Sequence, residues 1–179
     1  RQELGYGGLG RVVRAHDRRL QRDVAVRLLD GVEAPLEADA RAAARLTHPG
    51  IVRVFDAGRD GHLGFIVMEL VDGPSLADVL RGRGRLPVPE ALGIACQLAD
   101  ALEHAHSQGI AHGHVKPRNV LLMPGGQAKL VDFGITRAAT LSGTVAADEM
   151  AASAAYLAPE QADGGQPDAR TDVYSLGVV

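Results

Sequence analysis

The stretch His112-Gly113-His114-Val115-Lys116-Pro117-Arg118-Asn119 decides the fold of this chain of 179 residues. It follows a helical pattern that begins at Pro89, carries apolar residues at positions 91, 95, 98, 102 and 105, and ends at Gly109. It precedes two short apolar runs, 120–123 and 128–131, whose connecting Pro-Gly-Gly predicts a hairpin. The polar stretch therefore occupies a loop between a long helix and a small antiparallel pair of strands.

The segments on either side of this loop indicate a sheet followed by helices. Strand patterns cover residues 11–15, 23–29, 51–56 and 63–68. An Ala-rich segment, 33–46, predicts a helix, and Ser75 with Asp78 forms a capping-box-like start of another. Residues 137–155 are small and polar, which is typical of a long loop. Because strands come first and helices later, the order predicts an α+β protein.

Composition excludes several classes of function. The net charge is −3 and lysine runs are absent, so the chain lacks the basic surface that a nucleic-acid partner requires. The single cysteine, Cys96, allows neither an internal disulfide nor a zinc site of four thiolates. No apolar stretch approaches the roughly 18 to 20 residues that span a bilayer, so we expect no membrane segment here. The start at Arg1 and the end inside an apolar helical pattern lead us to expect an excerpt of a longer protein.

The glycines near the start of the chain match the pattern of a phosphate-binding turn. In Gly5-x-Gly7-x-x-Gly10-x-Val12, backbone N–H groups can approach phosphate oxygens because no Cβ stands in the way. A plain hairpin turn explains the glycines alone equally well. A dinucleotide-binding turn is disfavoured, since it requires a helix after the glycines, and a strand pattern follows here. That strand ends in a cation, in Val24-Ala25-Val26-Arg27.

Further motifs stand in register with the loop. Asp132-Phe133-Gly134 and Ala158-Pro159-Glu160 follow it in the order and spacing of protein kinases. The chain thus resembles a bacterial, eukaryotic-type (Hanks-type) Ser/Thr protein kinase over essentially its whole length. The resemblance implies a kinase-like bilobal fold with an antiparallel-sheet N-lobe and an incomplete helical C-lobe. The implied boundaries are N-lobe 1–69, hinge 70–74 and C-lobe 75–179, with catalytic loop 112–119 and activation segment 132–160.

The same resemblance implies that the chain binds ATP and magnesium. Asn119 and Asp132 would hold the metal through the hard oxygen ligands it prefers, and Lys116 would stabilise the charge of the transferring phosphoryl group. The implied nucleotide-binding residues are Leu4, Gly5, Gly7, Gly10, Val12, Ala25, Arg27, Asp39, Met68, Glu69, Val71 and Leu121. For the apolar members of this set, ordinary core packing is the alternative explanation.

Four positions depart from the family pattern. His114 stands at the position of the catalytic aspartate, and a protonated imidazole cannot replace the charge of a carboxylate beside magnesium. Gly113 replaces an arginine that pairs with a phosphorylated activation loop in many relatives, so we expect no such switch. Arg27 and Asp39 replace lysine and glutamate, and we expect a compensated ion pair because Arg is longer and Asp is shorter. Glu37, the competing partner, faces about 200° away on the helix.

These departures favour a pseudokinase, which binds nucleotide and acts in signalling through a protein partner that the sequence does not identify. We expect a cytoplasmic location, with the cytoplasmic part of a longer, membrane-anchored protein as the alternative. An active Ser/Thr protein kinase that tolerates His114 and Arg27 is the main alternative, and a nucleotide-free scaffold is another. A small-molecule phosphotransferase, suggested by His112-Gly113, is disfavoured because Lys116-Pro117 and the long activation segment are typical of protein kinases.

Overall fold

The computed structural model describes residues 2–7, 10–30, 36–133 and 153–179. These residues belong to two compact units. The first contains the described residues up to 45 together with 53–70, and the second contains 46–52, 71–133 and 153–179. Gly134 and the serine and threonines at 140, 142 and 144, which the sequence placed in the activation segment, lie outside the described residues.

The first unit is an antiparallel sheet with one helix. Its five strands have the order β1-β2-β3-β5-β4. Their bounds are β1 Gln2–Gly7, β2 Gly10–Asp17, β3 Arg22–Asp30, β4 Val54–Asp60 and β5 Leu63–Glu69. Helix α1, Leu36–Ala44, packs against β4. In β3 and β5 alternate side chains are buried, as expected for a sheet with one face against a core; Leu29 and Ile66 are among them.

The second unit is mainly helical. Its elements are α2 Leu76–Arg83, α3 Val88–Ser107, a 3₁₀ turn Pro117–Asn119, β6 Val120–Leu122, β7 Ala128–Leu130, α4 Pro159–Ala162 and α5 Ala169–Val178. Helix α2 begins with the predicted capping box, since Ser75 Oγ accepts from Asp78 N and the Asp78 side chain accepts from Ser75 N. One stripe of α3 is buried, consisting of Ile94, Leu98, Ala101, Leu102 and Ala105. Helix α3 and the hairpin of β6 and β7 confirm the long helix and the hairpin that were predicted before and after the loop 112–119.

The predicted strand 51–56 is wrong at its start. Strand β4 begins at Val54 and extends to Asp60. Val52 N donates to Leu130 O at 2.8 Å, and Leu130 N donates to Gly50 O at 2.8 Å. Residues 50–52 therefore pair with β7 in the second unit, and their apolar side chains join its core.

The elements confirm the predicted α+β class. Among the residues that the structure describes, no helix is both long and apolar enough to cross a membrane.

Candidate functional site

The glycine-rich turn joins β1 and β2, and Gly7 is the register partner of Gly10 across it. Gly10 has φ of +94°, and a Cβ at this position would lie 2.1 Å from Leu28 O. Only glycine fits here, because the backbone of β3 occupies the space of a side chain. A Cβ at Gly5 would meet nothing within 4 Å. Packing thus explains Gly10 without a ligand, and the phosphate-binding role of the turn stays a prediction.

Several predicted nucleotide residues share one face of the sheet. Val12 is the register partner of Arg27, and Ala25 is the register partner of Met68. Opposed residues of antiparallel strands, and alternate residues of one strand, project to the same side. The structure therefore brings Val12, Ala25, Arg27 and Met68 together on one face. This arrangement suits a flat apolar ligand, with a cation at one end of the face.

Arg27 is an unusual member of this face because only 8% of it is exposed. A buried guanidinium requires a hydrogen-bonding or charged neighbour. Asp39 lies in α1, but its side chain is outside the described part of the chain, as is that of Glu37. The predicted Arg27–Asp39 ion pair therefore stays a prediction.

Glu69 ends β5, where its backbone N donates to Arg53 O at 2.8 Å and its Oε2 accepts from Arg53 N at 3.2 Å. Leu4 is exposed in β1. Val71 and Leu121 are half-buried and belong to the second unit, where Leu121 forms a β-bridge with Ser75. The predicted nucleotide residues are thus divided between the two units, and each unit presents its own part.

The predicted catalytic loop is anchored by Asp172, a buried carboxylate at the start of α5. Its Oδ2 accepts from His112 N at 2.7 Å, and its Oδ1 accepts from Gly113 N at 2.7 Å. His106 Nε2 lies 2.7 Å from the same Oδ2. The sequence patterns described above assign no role to Asp172. The three buried residues of α5, Thr171, Asp172 and Ser175, are all polar, so an apolar pattern in the sequence could not identify this buried face.

His112 connects the loop to the residues after β7. Its Nε2 donates to Val131 O at 2.8 Å, and its Nδ1 accepts from His114 N at 3.1 Å, so these partners assign the Nε2–H tautomer. The ring contacts the Phe133 ring edge to face, with centroids 4.6 Å apart. Burial lowers the pKa of His112 below its ordinary value of 6.5. The imidazole is therefore neutral in the folded protein.

Gly113 separates the two histidines of the loop. Its φ is +73°, and a Cβ there would lie 3.0 Å from Pro167 Cγ. Gly113 O accepts from Gln161 Nε2 of α4 at 2.9 Å. Any side chain at this position, including the arginine of many relatives, would adopt a strained left-handed conformation.

The predicted metal residues lie in the same loop region. Asn119 Nδ2 donates to His114 O at 2.9 Å, which directs the amide oxygen to the other side of the group. Asp132 is 7% exposed and has φ of +70°, a strained backbone conformation of the kind found at functional sites. No cluster of three or more His, Cys, Asp or Glu in the described part of the chain is placed to hold a metal. One carboxylate and one amide nevertheless suit Mg²⁺, which binds one or two protein oxygens and completes its shell with phosphates and water.

Ser153, like Asp172, is a site residue that was not predicted from the sequence. Its Oγ accepts a hydrogen bond from Lys116 Nζ at 2.8 Å and lies 3.4 Å from His114 Nε2. Ser153 is 5% exposed and Lys116 is 6% exposed. The structure thus brings together His114 and Lys116 around one hydroxyl. A single polar residue within Ala151-Ala152-Ser153-Ala154-Ala155 was the available signal.

Comparison with protein families gives one match over the entire chain. The family model of the protein kinase domain matches residues 1–179. A probable serine/threonine-protein kinase of Clostridium perfringens is 40% identical over 185 residues. The serine/threonine-protein kinases PknB of Mycobacterium leprae and PknA of Mycobacterium tuberculosis are 43% and 42% identical over 188 residues each.

These relatives are much longer than the chain. The matches cover 99%, 98% and 98% of the chain, but 27%, 30% and 44% of the three relatives in the same order. A solved structure, a mutant of the PknI kinase domain of Mycobacterium tuberculosis, superposes with a TM-score of 0.81 at 30% identity. It covers 98% of this chain and 68% of that structure. The likeness confirms the predicted fold class.

Proposed function

Because this chain belongs to the protein kinase family, we propose that it is a pseudokinase that binds ATP and Mg²⁺ and acts in signalling. It transfers the γ-phosphoryl group to added protein slowly or not at all. It acts on its protein partner by contact, so the partner responds to the nucleotide state of the domain.

The observation that carries this proposal is the position of His114. Its imidazole and the ammonium of Lys116 both contact Ser153 Oγ, so the two groups lie on either side of one hydroxyl. A kinase aspartate would offset the Lys116 charge and orient the incoming substrate hydroxyl. The imidazole supplies no negative charge at this position. Losing a positioned base costs about 10² to 10⁴ in rate, so kinase rates of about 1 to 100 per second would fall to slow turnover at best.

The metal residues support retained nucleotide binding. Asn119 and Asp132 offer hard oxygen atoms, and the hydrogen bond from Asn119 to His114 O fixes the direction of the amide. Mg²⁺, when bound, neutralises the triphosphate and holds its oxygens. In the first unit, the shared face of Val12, Ala25 and Met68 is suited to the adenine ring. These features favour a nucleotide-binding pseudokinase over a nucleotide-free scaffold.

An active Ser/Thr protein kinase is the second candidate. It is favoured by the relatives, whose names describe serine/threonine-protein kinases, and by the intact Lys116, Asn119 and Asp132. In that case His114 accepts the substrate proton, and Arg27 contacts the nucleotide phosphates in place of the family lysine.

Phosphorylation of casein by the unchanged chain and by His114→Asp separates the two candidates. We expect His114→Asp to raise incorporation from Mg·ATP by about 10²-fold or more, since it restores a carboxylate base. Adding Asp132→Ala to that variant serves as the control and should abolish incorporation. Equal and measurable rates of phosphate incorporation for the unchanged chain and His114→Asp would favour the active kinase and contradict the pseudokinase.

A further inference from the structure

Positive charge is concentrated in the hairpin of β2 and β3. Residues 10–30 hold six arginines and three aspartates, a net charge of +3 within a chain whose overall net charge is −3. The turn of this hairpin, residues 18–21, lies between Asp17 and Arg22, which are register partners. Residues 17–22 alone contain three arginines and one aspartate. A basic segment in an otherwise acidic chain indicates an anionic partner for this part of the surface.

Hydrogen bonds from and to side chains fix the shape of the turn. Asp17 Oδ1 accepts from Arg19 N at 3.0 Å and from Leu20 N at 3.1 Å. The bonds from Leu20 N and Arg19 N lower the pKa of Asp17, so its carboxylate is ionised at neutral pH. Gln21, which has φ of +51°, donates from Nε2 to Arg18 O at 2.6 Å. The turn therefore holds one backbone conformation and presents its outer side chains together.

One cation of the turn supports the fold, and two face solvent. The Arg22 guanidinium lies 3.6 Å from the centre of the Phe55 ring, and Arg22 Nε lies 3.8 Å from Asp17 Oδ2. Arg22 therefore offsets the negative charge of Asp17. Arg18 and Arg19 are exposed at the end of the hairpin. Their two positive charges are what the turn offers to a partner.

Leu20 adds an exposed apolar side chain beside these cations. It is 59% exposed. An apolar side chain next to arginines suits a membrane interface, where the apolar group enters the boundary between headgroups and acyl chains and the guanidinium groups bind lipid phosphates. The tip of a hairpin is convex, whereas a free phosphate ester or a short peptide is bound in a concave pocket or groove. An extended anionic surface therefore fits the tip better than a small ligand.

We propose that the tip of this hairpin, formed by Arg18, Arg19 and Leu20, binds the surface of anionic phospholipid membranes. The two guanidinium groups contact headgroup phosphates, and the Leu20 side chain enters the boundary with the acyl chains. Association through three side chains is weak and reversible, because each basic residue near such a surface strengthens binding only about fivefold. None of the three belongs to the predicted nucleotide or metal residues, so membrane binding does not depend on the proposed function.

Leu20→Trp tests the contact directly, because the chain contains no tryptophan. With vesicles of phosphatidylglycerol and phosphatidylcholine in about equal parts, we expect its emission to shift to shorter wavelength, and the shift should decrease as salt is raised. Vesicles of phosphatidylcholine alone and free glycerol phosphate should leave the emission unchanged. Leu92→Trp is the matched control, since Leu92 is 60% exposed in α3, and its emission should not respond to either kind of vesicle.

Sedimentation with the same mixed vesicles separates the role of the cations from that of Leu20. Arg18→Gln combined with Arg19→Gln should weaken association by about tenfold or more. Arg45→Gln combined with Arg85→Gln removes the same charge at two other exposed positions, and we expect a change within about twofold. Leu20→Ser should weaken association by about fivefold or more, because it removes the apolar group that enters the membrane.

Equal weakening by the tip pair and by the control pair of substitutions would overturn the proposal, because a general charge effect would then explain the association. Absence of association with the mixed vesicles, or equal association with phosphatidylcholine alone, would overturn it as well. A tryptophan shift at position 20 with polyglutamate but not with vesicles would also overturn it, and would identify an acidic protein as the partner of the tip.

Discussion

His112 and Gly113 set the shape of the catalytic loop at the scale of single residues. The His112 ring is fully enclosed, and it uses both nitrogens, one toward Val131 O and one toward His114 N. A protonated ring would lose the bond from His114 N, because Nδ1 would become a donor. Gly113 uses both backbone polar groups and a conformation that side chains rarely adopt. The placement of His114 thus depends on its two neighbours.

Acidification should destabilise the protein through His112. Burial lowers the pKa of the folded imidazole below 6.5, whereas the unfolded chain binds its proton near pH 6.5. The unfolded state therefore holds more protons below pH 6.5, and the free energy of unfolding falls with decreasing pH by up to about 1.4 kcal/mol per unit. Urea titrations between pH 7.5 and 5.5 would measure this slope. An identical slope in His112→Gln would contradict the assignment.

Substitution of Gly113 should be costly for two separable reasons. Gly113→Ala places a Cβ at positive φ and 3.0 Å from Pro167 Cγ, whereas Gly164→Ala meets only the first penalty, since its Cβ would lie in open space at φ of +80°. We expect a loss of about 1 to 2 kcal/mol for Gly164→Ala and a larger loss for Gly113→Ala. Chemical denaturation of both variants checks this order. Equal losses would show that Pro167 moves aside freely.

At the scale of elements, α5 supports the catalytic loop through Asp172. This carboxylate is fully buried and receives two backbone N–H groups as well as His106 Nε2. Helix α5 is itself held in place by two side-chain hydrogen bonds to the preceding segment. Ser175 Oγ donates to Tyr156 O at 2.7 Å, and Thr171 Oγ1 donates to Glu160 Oε1 at 2.5 Å. The loop, α5 and the segment before α4 therefore form one connected network.

Asp172→Ala should strongly destabilise the second unit. It leaves the N–H groups of His112 and Gly113 buried without an acceptor, and each such group costs about 1 to 3 kcal/mol. We expect the free energy of unfolding to fall by about 2 to 5 kcal/mol, against a change within about 0.5 kcal/mol for the exposed control Asp163→Ala. Equilibrium denaturation of both variants measures the difference. A loss as small as that of the control would show that water replaces the carboxylate.

Elements that depend on a local sequence signal were predicted correctly. The capping box of Ser75, the length of α3 and the hairpin after the loop depend on neighbouring residues and were predicted. Residues 51 and 52 were assigned to the strand that begins at Val54, because their apolar pattern does not reveal that Leu130 is the pairing partner. Ser153 and Asp172 were missed as site residues for the same reason, since their partners lie 37 or more residues away in the chain.

At the scale of the whole molecule, the predicted chemistry is divided between two units. The first carries the glycine-rich turn and the apolar face with Arg27, and the second carries Lys116, Asn119, Asp132 and His114. The resemblance to protein kinases named these residues from their motifs, but it gave no account of the hydroxyl between Lys116 and His114. The departures are His114 at the transfer position, Gly113 beside it, and the pair of Arg27 and Asp39, whereas the residues predicted to hold the metal are those of the family pattern.

Calorimetric titration of ATP with and without Mg²⁺ tests the central claim that nucleotide binding persists without efficient transfer. We predict Mg²⁺-dependent binding in the unchanged chain, retained in His114→Asp and weakened by about tenfold or more in Asp132→Ala, which removes a metal ligand. Absence of binding, or binding that is unaffected by Mg²⁺ and by Asp132→Ala, would contradict the account.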